Sequence, residues 1–120
     1  MSIKTLVIGA SENKSRYAAE AIQMLKWRNH EVIAIGRAKG EVYQVTIHDE
    51  NIPVSDLDTV TLYVSPKNQE GFQDYILKLE PKRVIFNPGT ENPEFKIQLE
   101  KAGIEAINAC TLVMLSTGQY

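Results

Sequence analysis

Leu6, Val7 and Ile8 form an apolar run that stops at Gly9 and gives way to Ala10, Ser11, Glu12, Asn13 and Lys14. A run with no polar residue at alternate positions reads as a strand buried on both faces. From Ser15 to Arg28 the period changes. Tyr17, Ala18, Ala21, Ile22, Met24 and Leu25 recur at three and four residues, which predicts a helix with one apolar face. Val32 to Ile35 is a second nearly continuous apolar run, and it ends at Gly36. Two such strands joined through a helix predict a parallel β-α-β unit with a right-handed crossover.

Within that unit Ser15 is placed to cap the helix, and Arg28, Asn29 and His30 to close it with a cation and a left-handed residue. Trp27 reads as an anchor of the helix against the sheet. Further on, Arg37 to Gly40 is a basic loop, Glu41 to Ile47 an excursion with one short strand, and Ile52 to Leu57 a brief helical turn. A third strand, Thr59 to Val64, stops at Ser65 and Pro66. A helix from Asn68 to Leu79 follows, with Phe72, Tyr75, Ile76 and Leu79 on one face and a stop at Pro81. Arg83 to Phe86 is a fourth strand, Pro93 to Ala102 a helix closed by Gly103, Ile104 to Asn108 a fifth strand, and Thr111 to Ser116 a short last helix. The alternation predicts an α/β fold: a single Rossmann-like domain over residues 1–120. It has a doubly wound parallel sheet of about five strands, ordered 3-2-1-4-5, in three α/β/α layers.

Composition narrows the classes of function. The 120 residues are 43% hydrophobic, enough for a packed core. The net charge is −2 with no block of like charge, so no basic face for nucleic acid is expected. No apolar run reaches membrane-spanning length and no signal-peptide pattern opens the chain. The single cysteine cannot form an internal disulfide, and a reducing, cytoplasmic setting fits.

In open α/β sheets ligands lie beyond the carboxyl ends of the strands. That rule selects five loops: Gly9–Lys14, Gly36–Gly40, Ser65–Asn68, Asn87–Asn92 and Asn108–Thr111. The strand, small-residue turn and helix start around Gly9 suit an anionic group, because the first helical turn leaves backbone N–H groups unpaired. A dinucleotide fingerprint would need G-x-G-x-x-G here and an acid ending the second strand. Ser11 instead occupies the second glycine position and Gly36-Arg37 stands where the acid would be, which disfavours NAD. A cation there suits a phosphorylated ribose, as in NADP or coenzyme A, with Lys39 as a second charge. A solvated surface loop is the alternative.

The ordered set Val7-Ile8-Gly9-Ala10-Ser11, with Asn13, Ser15, Arg16 and Tyr17 following, resembles the opening of the small stand-alone coenzyme A-binding proteins. Their fold is similar to the nucleotide-binding domain of succinyl-CoA synthetase α subunits. Gly36, Arg37, Lys39, Gly40 and Glu41 resemble the loop after that family's second strand. Asn87-Pro88-Gly89-Thr90-Glu91-Asn92 resembles its segment after the fourth strand, and Cys110 falls where the family has a cysteine. The resemblance covers nearly the whole chain. It implies a coenzyme A or acyl-CoA site in which Gly9, Ala10, Ser11, Asn13, Lys14, Ser15 and Arg16 line the pyrophosphate. Gly36, Arg37 and Lys39 would lie near the adenosine phosphate, Ser65 and Pro66 would border adenine or pantetheine, and Asn87, Pro88, Gly89 and Thr90 would line the pantetheine path. The chain departs from the family at Gly36-Arg37, where Asn-Pro is common, and at Thr111-Leu112-Val113-Met114, where Pro-Lys-x-Glu is usual.

No catalytic or metal-binding constellation is expected. Cys110 has no nearby histidine and reads as a small buried hydrophobe; His30 and His48 are scattered; Asp56 and Asp58 read as solvated. The chain therefore reads as a binding protein, a carrier or sensor of a small nucleotide ligand, rather than an enzyme. An NADP-binding reductase-like domain and an interaction domain that kept the fold without its ligand are the alternatives. Leu112 to Leu115 read as a short core helix, with a homodimer contact as the other use of those residues.

Overall fold

β1 (Thr5–Ala10) runs through the middle of the sheet, and its Leu6, Val7 and Ile8 are fully buried. The pleat sends Leu6 and Ile8 into one layer and Val7 into the other, so both faces of the strand are covered. The computed structural model describes residues 2–120. Besides β1 it contains β2 (Val32–Gly36), β3 (Gly40–Val42), β4 (Val45–His48), β5 (Thr59–Leu62), β6 (Arg83–Phe86) and β7 (Glu105–Asn108). The helices are α1 (Tyr17–Trp27), α2 (Gln73–Leu79), α3 (Pro93–Lys101) and α4 (Thr111–Ser116), with a 3-10 turn at Pro66–Gln69. One sheet runs β3-β4-β2-β1-β5-β6-β7, parallel throughout except for the β3–β4 hairpin.

The α/β, Rossmann-like reading holds, but the strand count and order differ from expectation. The sheet has seven strands. Its third parallel strand is Val45–His48, paired with β2, and not Thr59–Val64. Thr59–Leu62 instead lies against β1 on the side away from β2. The six parallel strands thus run 3-2-1-4-5-6. The excursion expected to hold one short strand is a two-stranded hairpin, and the second strand escaped for a local reason. Its strands have three and four residues, and Tyr43 and Gln44 turn the chain with φ of 49° and 65°. That primed turn normally calls for Asn or Gly, and neither is present.

Helix α1 buries Ala18, Ala19, Ile22 and Leu25 against Val7, Ala34 and Ile47, and Ala21 is buried as well. Trp27, expected as its anchor, is 78% exposed and Tyr17 is 70% exposed. At about 100° per residue Trp27 lies roughly opposite Ala18, and its ring carries the Arg28 guanidinium instead. Ser15 does not cap the helix; the N-cap is Arg16, without a side-chain bond. The C-terminus closes as expected: Asn29 is left-handed, Asn29 N–H bonds Lys26 O and His30 N–H bonds Leu25 O. Gly103 closes α3 in the same way.

On the other face, α2 and α3 cover Leu6, Ile8, Leu62, Val84 and Phe86 with Ile76, Phe95 and Leu99. Phe86 and Phe95 meet edge to face at 6.0 Å. The expected helix from Asn68 is broken into the 3-10 turn and α2, because buried Gln69 is tied to Val64 O and Thr90 O. The expected helical turn at Ile52–Leu57 is absent. Residues 49–58 cross from β4 to β5 as an irregular strap, with Leu57 buried and Ile52 and Val54 packed against the same core. Tyr75 Oη donates to Ile52 O at 2.5 Å and Asn51 Nδ2 to Gly71 O at 3.1 Å, holding the start of the strap on α2 and on the turn that precedes it. Thr111 and Leu115 of α4 are buried, as a core helix requires, and Val113 remains 56% exposed.

At the amino-terminal edge of the sheet, Tyr120 Oη shares a hydrogen bond with Thr5 Oγ1, and its ring lies under Arg83 and beside His30. His30 Nδ1 accepts the Ile3 N–H at 2.9 Å, which only the neutral ring can do. Burial, followed by nearby positive charge including Arg28 and Arg83, lowers the His30 pKa.

Two outcomes follow for stability. Phe95→Ala should cost about 3–5 kcal/mol in urea unfolding, while Trp27→Ala should change stability by no more than about 0.5 kcal/mol. Because the folded state disfavours protonated His30, the unfolded chain takes up the proton first as pH falls below about 6.5. Stability should therefore fall from about pH 7 to about pH 5, and less in His30→Asn, whose side-chain oxygen can replace Nδ1, when unfolding is followed across that range.

Candidate functional site

The loops after β1, β2, β5, β6 and β7 share one edge, because these strands are parallel. The chain leaves β1 toward β2 on one side and later returns to β5 on the other, so the crevice opens beside β1. Its floor is backbone. Gly9 has φ +100°, and a Cβ there would lie 2.8 Å from Tyr63 O. A Cβ on Gly36 would run into Ala10 O. The pairing of β1 with β2 slips between Ile8 and Ala10, and this bulge turns the chain into the loop that follows.

That loop is organised by Asn13. Its Oδ1 accepts from Ser15 N–H at 3.0 Å and Ser15 Oγ at 2.7 Å, its carbonyl accepts from Arg16 N–H, and its own N–H bonds Ser11 Oγ. The N–H groups of Asn13, Ser15 and Arg16 are therefore spent inside the loop. Ala10 is buried, Ser11 half-buried, and Asn13, Lys14, Ser15 and Arg16 exposed. Lys14 Nζ sits 4.9 Å from the Tyr43 ring centre, bringing the hairpin turn against the loop. Beyond β2, Arg37 and Lys39 are exposed. Among the described residues neither is in an ion pair; the two pairs are Lys4–Glu31 and Lys82–Asp58.

The other end of the edge is rigid. Asn87 is 2% exposed; its Nδ2 donates to Thr61 Oγ1 at 2.7 Å and Leu62 O at 2.9 Å, and its Oδ1 accepts the Thr111 N–H at 2.8 Å. The Asn87 side chain thus pins β5, β6 and α4 together. Thr90 is buried and bonds back to Asn87 O, while Pro88 and Gly89 are exposed. Gln69 Oε1 accepts from Asn92 Nδ2, and Asn92 Oδ1 in turn caps α3 through Phe95 N–H. Ser65 and Pro66 are exposed and open the 3-10 turn. A groove of ≈ 550 Å³ lies between that turn and the start of α3, lined by Pro66, Lys67, Glu70, Glu91, Asn92 and Phe95 among others. A smaller hollow of ≈ 320 Å³ lies by the start of β2, between His30 and Thr46, away from these loops.

Sequence reasoning missed Gln69, Thr61 and Tyr63. The Tyr63 hydroxyl is buried with no hydrogen-bond partner. Burial pushes its pKa up, and the nearby Thr61 and Thr111 hydroxyls oppose that weakly without completing a bond to it. Cys110 is half-buried at the N-cap of α4. Among the described residues no group of three His, Cys, Asp or Glu side chains could hold a metal ion, and no helix is long and apolar enough to cross a membrane. Asn87→Ala would strand the Thr111 N–H and the Leu62 carbonyl. It should cost roughly 3 kcal/mol in denaturant unfolding, against no more than about 0.5 kcal/mol for exposed Pro88→Ala.

Solved structures share this fold. A crystal structure of an uncharacterized protein is 51% identical, covers 100% of this chain and 99% of its own, and has a TM-score of 0.97. A hypothetical protein from Pyrococcus horikoshii OT3 is 23% identical, with 97% of this chain and 83% of its own covered and a TM-score of 0.87. An acetyl-coenzyme A synthetase 1 from Ca. Korarchaeum cryptofilum, solved with phosphate and ADP, matches 90% of this chain and 26% of its own at 15% identity, with a TM-score of 0.71. The last two are likenesses of fold. A comparison with curated proteins gives no match. Residues 4–116, all but the ends of the chain, match the profile of the CoA binding domain, and the chain belongs to that family.

Proposed function

We propose that this chain binds coenzyme A or an acyl-CoA along the carboxyl edge of its sheet, as a non-catalytic carrier or sensor. The observation that carries the reading is the loop after β2, where Gly36, Arg37 and Lys39 stand in place of a ribose-binding acid. Both cations are exposed and outside any ion pair among the described residues, so a phosphate can take them without breaking one. Strands lie about 4.8 Å apart, so the step from β2 across β1 and β5 to β6 is on the order of 15 Å. A ligand with a phosphorylated nucleotide at one end and a thin, uncharged arm at the other fits that span. Its adenosine phosphate would lie by Arg37 and Lys39, and its pyrophosphate by Gly9, Ala10, Ser11, Asn13, Lys14, Ser15 and Arg16. The pantetheine would pass Ser65 and Pro66 toward Pro88, Gly89 and the groove. In this reading Asn87 and Thr90 act through the loop they hold.

A thermal-shift series with CoA, NADP and NAD tests the reading. A rise in melting temperature with CoA and none with NAD is the expected result. A rise with NADP alone would point to a reductase-like domain, and none with any would leave an interaction domain that has kept the fold. Replacing Arg37 and Lys39 together by Ala should weaken CoA roughly tenfold or more. It should weaken 3′-dephospho-CoA much less; equal loss for both would remove the adenosine phosphate from this loop.

A further inference from the structure

One contact at the basic end of the edge does not belong to the fold's framework. Glu12, in the loop after β1, reaches across to the start of the hairpin, where its Oε2 accepts the Glu41 N–H at 3.0 Å. The carboxylate fills the space over Gly40: a Cβ on that residue would lie 2.7 Å from Glu12 Oε1. A side chain at residue 40 would push the Glu12 carboxylate off this position. The loop that delivers Glu12 is held by the bond from Asn13 N–H to Ser11 Oγ, which spans it, and by Lys14 over Tyr43 on its C-terminal side. Arg37 and Lys39 belong to the same short loop as Gly40, yet neither forms an ion pair with this carboxylate. The start of the hairpin thus presents a backbone N–H and an open glycine with an internal carboxylate seated on both, and Lys39 and Arg37 precede that glycine in the chain.

We propose that Glu12 is an internal competitor at this site: its carboxylate holds the Glu41 N–H until the adenosine phosphate of the ligand displaces it. The inference rests on the CoA reading above and adds the residue that sets how strongly that phosphate counts. An arriving phosphate meets the donors and cations it needs, but it must first break a charge-assisted hydrogen bond and remain near the displaced negative charge. Glu12 therefore lowers the advantage of CoA over its 3′-dephospho form. Removing the charge while keeping the shape releases that advantage.

The test uses the full chain as wild type, Glu12→Gln and Glu12→Ala. Calorimetric titration should show CoA binding Glu12→Gln on the order of tenfold more tightly than wild type, with a clearly smaller gain for 3′-dephospho-CoA. Without ligand, hydrogen exchange at the Glu41 amide should quicken in Glu12→Ala while exchange in β1 stays unchanged. Unchanged or weaker CoA binding by Glu12→Gln, equal gains for the two nucleotides, or unaltered Glu41 exchange would each overturn the proposal. If none of the three proteins binds CoA, the CoA reading fails by itself. Inorganic phosphate then decides the competition: its shift of the Glu41 amide resonance must be larger in Glu12→Gln than in wild type, and an equal shift overturns it.

Discussion

Where β1 ends there is no space for a side chain between its backbone and the strands on either side. Gly9 lies against the backbone of Tyr63, and Gly36 against the carbonyl of Ala10. Close approach at these two points lets β1 bulge and turn away while β2 and β5 stay paired to it. The loop of Ser11 to Arg16 that follows lies against the hairpin, through Glu12 to the Glu41 N–H and Lys14 to the Tyr43 ring. Any Cβ at Gly9 or Gly36 would separate strands whose neighbours are buried on both faces, so the effect would reach both cores.

The edge above that floor has two mechanical characters. At the β5–β6 end, side-chain bonds from Asn87 and Gln69 tie together loops that are far apart in sequence, and the bonded atoms are mostly buried. Leaving one of those partners unpaired costs more than the bond itself contributes, so this end has one geometry. At the β2 end the polar groups are exposed, their bonds are few, and water competes for each of them. A nucleotide laid along the edge would meet a preset surface for its arm and an adjustable one for its charged head.

Most of the architecture could be read from the chain because burial on both faces leaves a local trace: Leu6-Val7-Ile8 and Val32-Ile33-Ala34-Ile35 need no partner to announce themselves. The hairpin left only the trace of one short strand, since Val42 and Val45 alternate with polar residues over too few positions and the turn lacks glycine. Missing the second displaced one strand across the sheet. Trp27 misled by its size: a large apolar residue suggests burial, yet its angular position on α1 decides. At the site, topology alone placed the five loops on one edge. It did not separate residues that face a ligand from those that hold the loop, because that depends on bonds such as Asn87 to Thr111, 24 residues apart. Gln69 and Glu12 sit among exposed polar neighbours, and nothing in their surroundings sets them apart until the chain is folded.

The passage from β4 to β5 has no helix, and this shapes how the molecule breathes. A helix covering a sheet is secured by its own ladder of backbone bonds and opens as a unit. The strap of residues 49–58 lacks that ladder and relies on three apolar side chains, two bonds to the segment around α2, a bond from Lys4 Nζ to Ser55 O, and the backbone bonds of Asp58 to Lys4, Lys82 and Arg83 at its far end. It is the part of the covering layer able to lift without melting a helix. The two bonds that hold its first half, at Asn51 and Ile52, go to Gly71 and Tyr75, which follow the 3-10 turn that walls the groove, so fraying of that half of the strap and the width of the wall are mechanically joined.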